Sequence, residues 1–195
     1  MAEREQLDDR ALVTRILEGD RDRFTELVRR YEKRLINYVF RITHRYEEAH
    51  DLAQEIFMKV YLALDRYDPK YQFSTWLFRI AINESRNRFR WWKCRRRELT
   101  ISMDANIGDS ETPLSDMLAD ASESPEETAL VREREYALKA ALQELPVVFR
   151  ETIVLCDVEG FSYEETAKAL GIGMGTVKSR ISRGREELRR KLKDF

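Results

Sequence analysis

Residues 161–185 read FSYEETAKALGIGMGTVKSRISRGR, and this stretch decides the fold of the C-terminal third. Ser162 stands where a helix N-cap accepts a hydrogen bond from the amide three residues on. Glu165 is placed to return a bond to the cap's own amide, the reciprocal pattern that starts a helix. Ala167 and Leu170 then fall on one side, and Gly171 enters the left-handed region without a Cβ clash and so stops the helix. After a turn through Ile172 and Gly173, Val177, Ile181 and Leu188 recur at helical spacing, leaving Lys178, Arg180, Arg183 and Arg185 to point outward. The spacing predicts two helices joined by a tight turn, the second with one packing face and one cationic face. That is the shape with which a protein enters the DNA major groove. An amphipathic hairpin that never meets DNA has the same pattern, so the deciding signals lie elsewhere in the chain.

Charge supplies the first of them. The 195 residues carry 35 Lys and Arg against 36 Asp and Glu, a balance with no bias toward a nucleic-acid partner. Its distribution is another matter. Residues 74–97 hold eight cations and one acid, residues 98–128 hold nine acids and no Lys or Arg, and residues 174–195 hold eight cations and three acids. Two cationic segments thus flank an anionic one. The acidic stretch, with its Ser, Thr, Pro113 and Pro125, has the composition of a linker between two domains, although Ile101, Met103, Ile107, Leu114, Met117 and Leu118 give it docking points.

No apolar run approaches the ~18 to 20 residues of a membrane span, and the charged N-terminus lacks a signal-peptide core. A cytoplasmic protein is expected. Cys94 and Cys156 fall one in each expected domain, which argues against a disulfide framework. Cys156 belongs to an apolar run and reads as core, Cys94 as a surface thiol. His44 and His50 do not suggest a metal site, and no cofactor is expected.

Almost all of the chain reads as helix. Segments 9–18, 22–43, 46–64 and 74–96 carry apolar residues three and four apart, as in Phe24, Leu27, Val28, Tyr31, Leu35 and Val39. Beyond the linker, Leu130 to Leu145 mark another helix stopped at Pro146, and residues 147–158 mark the next. No β-alternation of useful length is present. The expected fold is all-α: two small helical domains, 1–97 and 129–195, joined by the acidic linker 98–128.

Two segments exceed generic helix. Asp51, Gln54 and Glu55 share one face of the third helix, opposite Leu52, Ile56, Phe57 and Val60; this patch suits a partner helix bearing Arg, or simply a solvated face. In FSTWLFRIAINESRNRFRWW, residues 73–92, Arg79, Asn83, Arg86, Asn87 and Arg90 form a cationic and amide stripe with Phe89, Trp91 and Trp92 interspersed. Cations that follow a phosphate backbone, an amide for a base edge and nearby rings are what recognition of single-stranded DNA requires.

Taken together, EEAHDLAQEIFMKVYLAL, FSTWLFRIAIN, the acidic linker and LPVVFRETIVL with the helix-turn-helix resemble the two-domain extracytoplasmic-function sigma factors of bacterial RNA polymerase over nearly the whole chain. The resemblance implies that Asp51, Gln54 and Glu55 grip the clamp helices of the polymerase's largest subunit. It implies that the loop with Asp68, Lys70, Tyr71 and Phe73 holds a flipped base of the −10 element, while Arg79, Asn83, Arg86 and Arg90 read and melt that element. It places Thr176, Lys178, Ser179, Arg180, Ser182 and Arg183 on the −35 duplex, and it implies an anti-sigma protein as a further partner. Trp91 and Trp92 have no counterpart in the pattern. A helix-turn-helix regulator that never enters the polymerase explains the C-terminal third equally well but leaves the 51–55 face and the 73–92 stripe without a role. An enzyme is not expected: GIGMG follows a helix and lacks a P-loop's Lys-Ser/Thr, and no paired carboxylates or activated nucleophile are evident.

Overall fold

The computed structural model describes residues 7–102 and 125–192. Most of the expected linker, 103–124, lies outside these, as do the side chains of Trp92 and Cys94. Four helices form the first domain: α1 (Asp9–Leu17), α2 (Arg23–Thr43), α3 (Tyr46–Leu62) and α4 (Phe73–Ser102). The second contains α5 (Pro125–Glu144), α6 (Val147–Ile153), α7 (Tyr163–Leu170) and α8 (Met174–Lys191). There is no strand among the described residues.

Local sequence explains where these helices begin and end. Asp8 caps α1 by accepting from the Ala11 amide at 2.8 Å, one of the four donors that a helix start leaves unpaired. The stripe Leu27, Tyr31, Leu35, Ile36, Tyr38, Val39 and Ile42 is buried along α2, and α2 packs on α1, α3 and α4 as the centre of the domain. At its C-terminus His44 adopts φ 60°, ψ 26°, a left-handed conformation uncommon outside glycine. His44 therefore closes α2.

Helix α4 runs to Ser102, past the boundary expected at residue 97, and α5 begins at Pro125. The helical spacing of residues 147–158 also resolves differently from a single α-helix. Regular α-helix stops at Ile153, and Val154–Val158 forms a π-helical turn. The insertion rotates the segment so that Val154 and Leu155 are buried while Asp157 is exposed.

The capping box at α7 is complete: the Glu165 amide donates to Ser162 Oγ at 3.2 Å, and the Ser162 amide donates to Glu165 Oε2 at 2.9 Å. Gly171 ends α7 at φ 67°. Across the turn, Ala167, Val177 and Ile181 pack together with Ile172 and Cys156, which fixes α8 against α7. Cys156 is half-buried, and its thiol lies 3.1 Å from the Thr166 hydroxyl.

The two domains share apolar packing. Val154, Leu155, Phe161, Ala169 and Leu170 of the second domain join the buried cluster of the first, and Phe161 meets Phe78 edge-on at 5.1 Å.

Candidate nucleic-acid interface

On α8, Thr176, Lys178, Ser179, Ser182 and Arg183 are exposed, with Arg180 partly so. Val177 and Ile181 are buried on the opposite side. A continuous polar face therefore projects from the helix-turn-helix. Gly184 allows α8 to lie this close to α6, because a Cβ there would stand 2.6 Å from Ile153 Cδ1 and 3.2 Å from Phe149 Cβ. Arg185 faces elsewhere: its guanidinium donates to both Asp157 oxygens at 3.0 and 2.6 Å, and that pairing raises its pKa further.

On α4, Arg79, Asn83 and Arg90 are exposed, and Arg90 donates to Asn87 Oδ1 at 2.5 Å. Arg86 is committed elsewhere. Its guanidinium forms a two-pronged pair with Glu151 of α6, at 2.8 and 2.7 Å, and the Glu151 side chain is fully buried. The hydrogen bond to Glu151 is the main cause of an Arg86 pKa above its ordinary value.

The preceding loop divides in the same way. Asp68 and Lys70 are exposed, and Asp68 Oδ1 accepts from the Lys70 amide at 2.9 Å, an Asx turn that shapes the loop. Tyr71 is exposed, with the Lys168 ammonium of α7 5.1 Å from its ring centre. Phe73 is different: it is the first residue of α4 and only 2 % exposed, its ring set among Tyr31, Tyr67 and Trp76. The expectation that Phe73 meets a base is corrected accordingly, since a ring in this aromatic cluster anchors the loop and presents no face to a ligand.

On α3, Asp51, Gln54 and Glu55 are exposed side by side. Glu55 also accepts, through both oxygens, from Arg88 Nη2 at 2.7 Å. Next to this polar face lies a shallow apolar groove between α2 and α3, lined by Phe24, Val28, Ile36, His50, Gln54 and Met58. Met58 is 62 % exposed and Leu62 73 %.

Several residues at the junction of the domains were not singled out in the sequence. Arg34 donates to the side chain and the carbonyl of Glu159 at 3.1 Å each, and Arg41 lies 3.9 Å from the same carboxylate. Burial pushes the Glu159 carboxyl up, and the two arginines counter it. Arg150, 4 % exposed, donates to the carbonyls of Leu142, Gln143, Leu145 and Ile42. Glu151 could have been suspected, because it stands two residues before the apolar run 153–156, where an ionised group needs a partner. The identity of that partner, 65 positions away, leaves no trace in local spacing.

Known proteins match both halves of this arrangement. The Sigma-70 region 2 family model matches residues 27–93 and the Sigma-70 region 4 model matches residues 136–188. The RNA polymerase sigma-H factor of Pseudomonas aeruginosa is 36 % identical over 94 % of this chain and 93 % of its own length. The ECF RNA polymerase sigma factor SigW of Bacillus subtilis is 34 % identical over 94 % of this chain and 96 % of its own. The chain belongs to the extracytoplasmic-function sigma factors of RNA polymerase.

This sigma factor is accordingly an alternative sigma subunit that directs promoter-specific transcription. The reading as a regulator that never enters the polymerase gives way, because the first domain as well as the second matches a sigma region. Among solved structures, the sigma factor RpoE of Bartonella quintana in complex with the anti-sigma factor NepR has a TM-score of 0.67 and 28 % identity, over 87 % of this chain and 96 % of that one. CnrH in complex with the cytosolic domain of CnrY has a TM-score of 0.68 and 26 % identity, over 95 % and 97 %. No helix among the described residues is long and apolar enough to cross a membrane.

Proposed function

We propose that three faces of this sigma factor divide the work of initiation. Asp51, Gln54 and Glu55 grip an Arg-bearing helix of the polymerase's largest subunit, with Met58 and the adjoining groove supplying apolar contact. Asp68, Lys70, Tyr71, Arg79, Asn83, Arg86 and Arg90 take the melted −10 strand. Thr176, Lys178, Ser179, Arg180, Ser182 and Arg183 hold the −35 duplex. The observation that carries this reading is the exposure of the α3 face, of Arg79 and Asn83 on α4, and of the α8 face as separate polar surfaces on two domains. Residues 1–97 and 129–195 act as the two promoter-contacting domains, and the acidic segment 98–128 follows a cationic channel of the polymerase between them.

The tasks differ physically. Duplex binding rests on phosphate neutralisation, each contact adding roughly 0.9 to the salt slope, whereas flipping a base costs a few kcal/mol that a pocket must offset. The chain contributes binding and strand separation, the polymerase contributes the chemistry, and both act in the cytoplasm. An anti-sigma protein is the natural antagonist, as the complexes of RpoE with NepR and CnrH with CnrY illustrate for those relatives. Substitution separates the faces: Asn83→Ala impairs promoter opening at unchanged duplex affinity, whereas Lys178→Ala and Arg183→Ala weaken duplex binding and flatten its salt dependence. Equal effects of all three on duplex binding contradict the division.

A further inference from the structure

The loop assigned to the −10 strand is shaped from behind by residues outside that assignment. Within it, the Tyr71 amide donates to the Asp68 carbonyl at 3.1 Å and the Lys70 amide to Asp68 Oδ1 at 2.9 Å. Asp at the first position and Pro69 at the second are favoured residues for such a turn. Tyr67 closes residues 67–71 into a ring, because its hydroxyl donates to the Tyr71 carbonyl at 2.6 Å. The Tyr67 ring is 8 % exposed and is wedged between Phe73 and Trp76, with centroids 5.6 and 5.5 Å away.

Helix α1 braces the same cluster, although it precedes the stretch 27–93 that matches Sigma-70 region 2. The Tyr31 hydroxyl donates to the Asp9 carboxylate, which Arg30 also grips, and the Tyr31 ring lies 5.6 Å from Phe73. Burial raises the pKa of the Tyr67 hydroxyl, and the charge and hydrogen bond of Arg10 oppose that rise. We infer that Tyr67, braced by Asp9 and Arg10 of α1, is the positioning residue that sets which base of the −10 strand the loop 68–71 accepts. The inference rests on the assignment of Asp68, Lys70 and Tyr71 to that strand.

A pocket for an extruded base must offset lost stacking and pairing, and it does so best when its backbone is held in shape before the base arrives. Tyr67 is too enclosed to offer the strand a face, so its hydroxyl acts on the loop and not on the DNA. Losing the bond frees the Tyr71 carbonyl and lets residues 68–71 yield. Discrimination is a difference between affinities, and a yielding pocket fits the wrong bases better. A loss of preference at one position therefore marks positioning, whereas a destabilised domain weakens every −10 contact alike.

Holoenzyme reconstituted from core RNA polymerase and the full-length chain tests this on a selected promoter with each −10 position varied in turn. The quantity read is the ratio of opening rates between the preferred base and the others. Tyr67→Phe removes one hydroxyl and keeps the ring. The expected result is a preference about fivefold lower at one position, the worth of about one net hydrogen bond, with the other −10 preferences and −35 duplex affinity unchanged. Asp9→Ala should flatten the same position, and Asp9→Asn, which keeps an acceptor for Tyr31, should restore part of the preference. This Asp9 pair decides the matter if circular dichroism shows that Tyr67→Phe does not fold. A Lys70→Ala, Tyr71→Ala double variant checks the loop itself. Undiminished preference in Tyr67→Phe, or an even loss across all −10 positions, overturns the positioning role if the double variant still loses preference at one position. Undiminished preference in the double variant as well contradicts the assignment of the loop, and the inference falls with it.

Discussion

Arg150 donates from Nη1 to Nε2 of His44 across 2.6 Å, and the same nitrogen reaches the Ile42 carbonyl at 3.1 Å. The C-terminal end of α2 is thereby capped by a side chain from the second domain. The contact requires an unprotonated imidazole nitrogen, since Arg only donates. Burial and, secondarily, the Arg150 charge lower the His44 pKa from 6.5 to about 4.

A pH dependence follows from that value. The folded chain prefers neutral His44, so the associated stability is complete above about pH 6.5 and is lost progressively as pH falls toward about 4. The raised pKa of Glu159 acts in the opposite sense in acid, which makes the difference between variants the useful quantity. His44→Asn keeps an acceptor and tolerates the left-handed backbone. Thermal melts should show the unaltered chain losing on the order of 1 to 2 kcal/mol more than His44→Asn between about pH 7.5 and pH 5. Parallel losses in both chains contradict the assignment.

Gly184 should resist substitution despite lying inside a helix, where Ala is ordinarily better by about 1 kcal/mol. A Cβ would press on Ile153 Cδ1 and Phe149 Cβ, and overpacking of this kind costs about 1 to 3 kcal/mol. Gly184→Ala is expected to lower stability in denaturant titration, and Ile153→Val, which removes the Cδ1 atom, should recover part of the loss. Additive losses in the double variant contradict this packing account.

Ser162→Ala removes one arm of the box that starts α7, at a cost of about 1 kcal/mol. Because α7 supports α8 through Ala167, Val177 and Ile181, −35 duplex affinity should fall with stability and be rescued by Ser162→Asp, which restores the cap. Unaltered stability in Ser162→Ala denies the cap its role.

Much of this architecture was legible locally. The capping box, the Gly171 stop, the one-sided burial of α2 and the exposed faces of α3 and α8 all follow from periods of three and four residues, which sequence displays directly. Phe73 was misjudged because proximity in sequence to an exposed loop says nothing about which ring turns inward. The junction between the domains was invisible for a related reason. Arg34 and Arg150 look like ordinary surface cations, and Arg86 like one more member of the strand-binding stripe, until the fold brings Glu159, the Ile42 carbonyl and Glu151 to them. The π turn escaped as well, since one inserted residue hardly disturbs an apolar pattern as short as residues 153–158.

In the proposed division of labour, the α3 face joins this sigma factor to the polymerase. Its most direct test is run-off transcription by core RNA polymerase on a promoter selected from random DNA, with the unaltered chain and with the Asp51→Ala, Glu55→Ala double variant. Both residues are exposed, so the variant should fold and still bind the −35 duplex. The expected result is specific initiation with the unaltered chain and its loss, together with core association, in the variant. Undiminished initiation by the variant contradicts the claim.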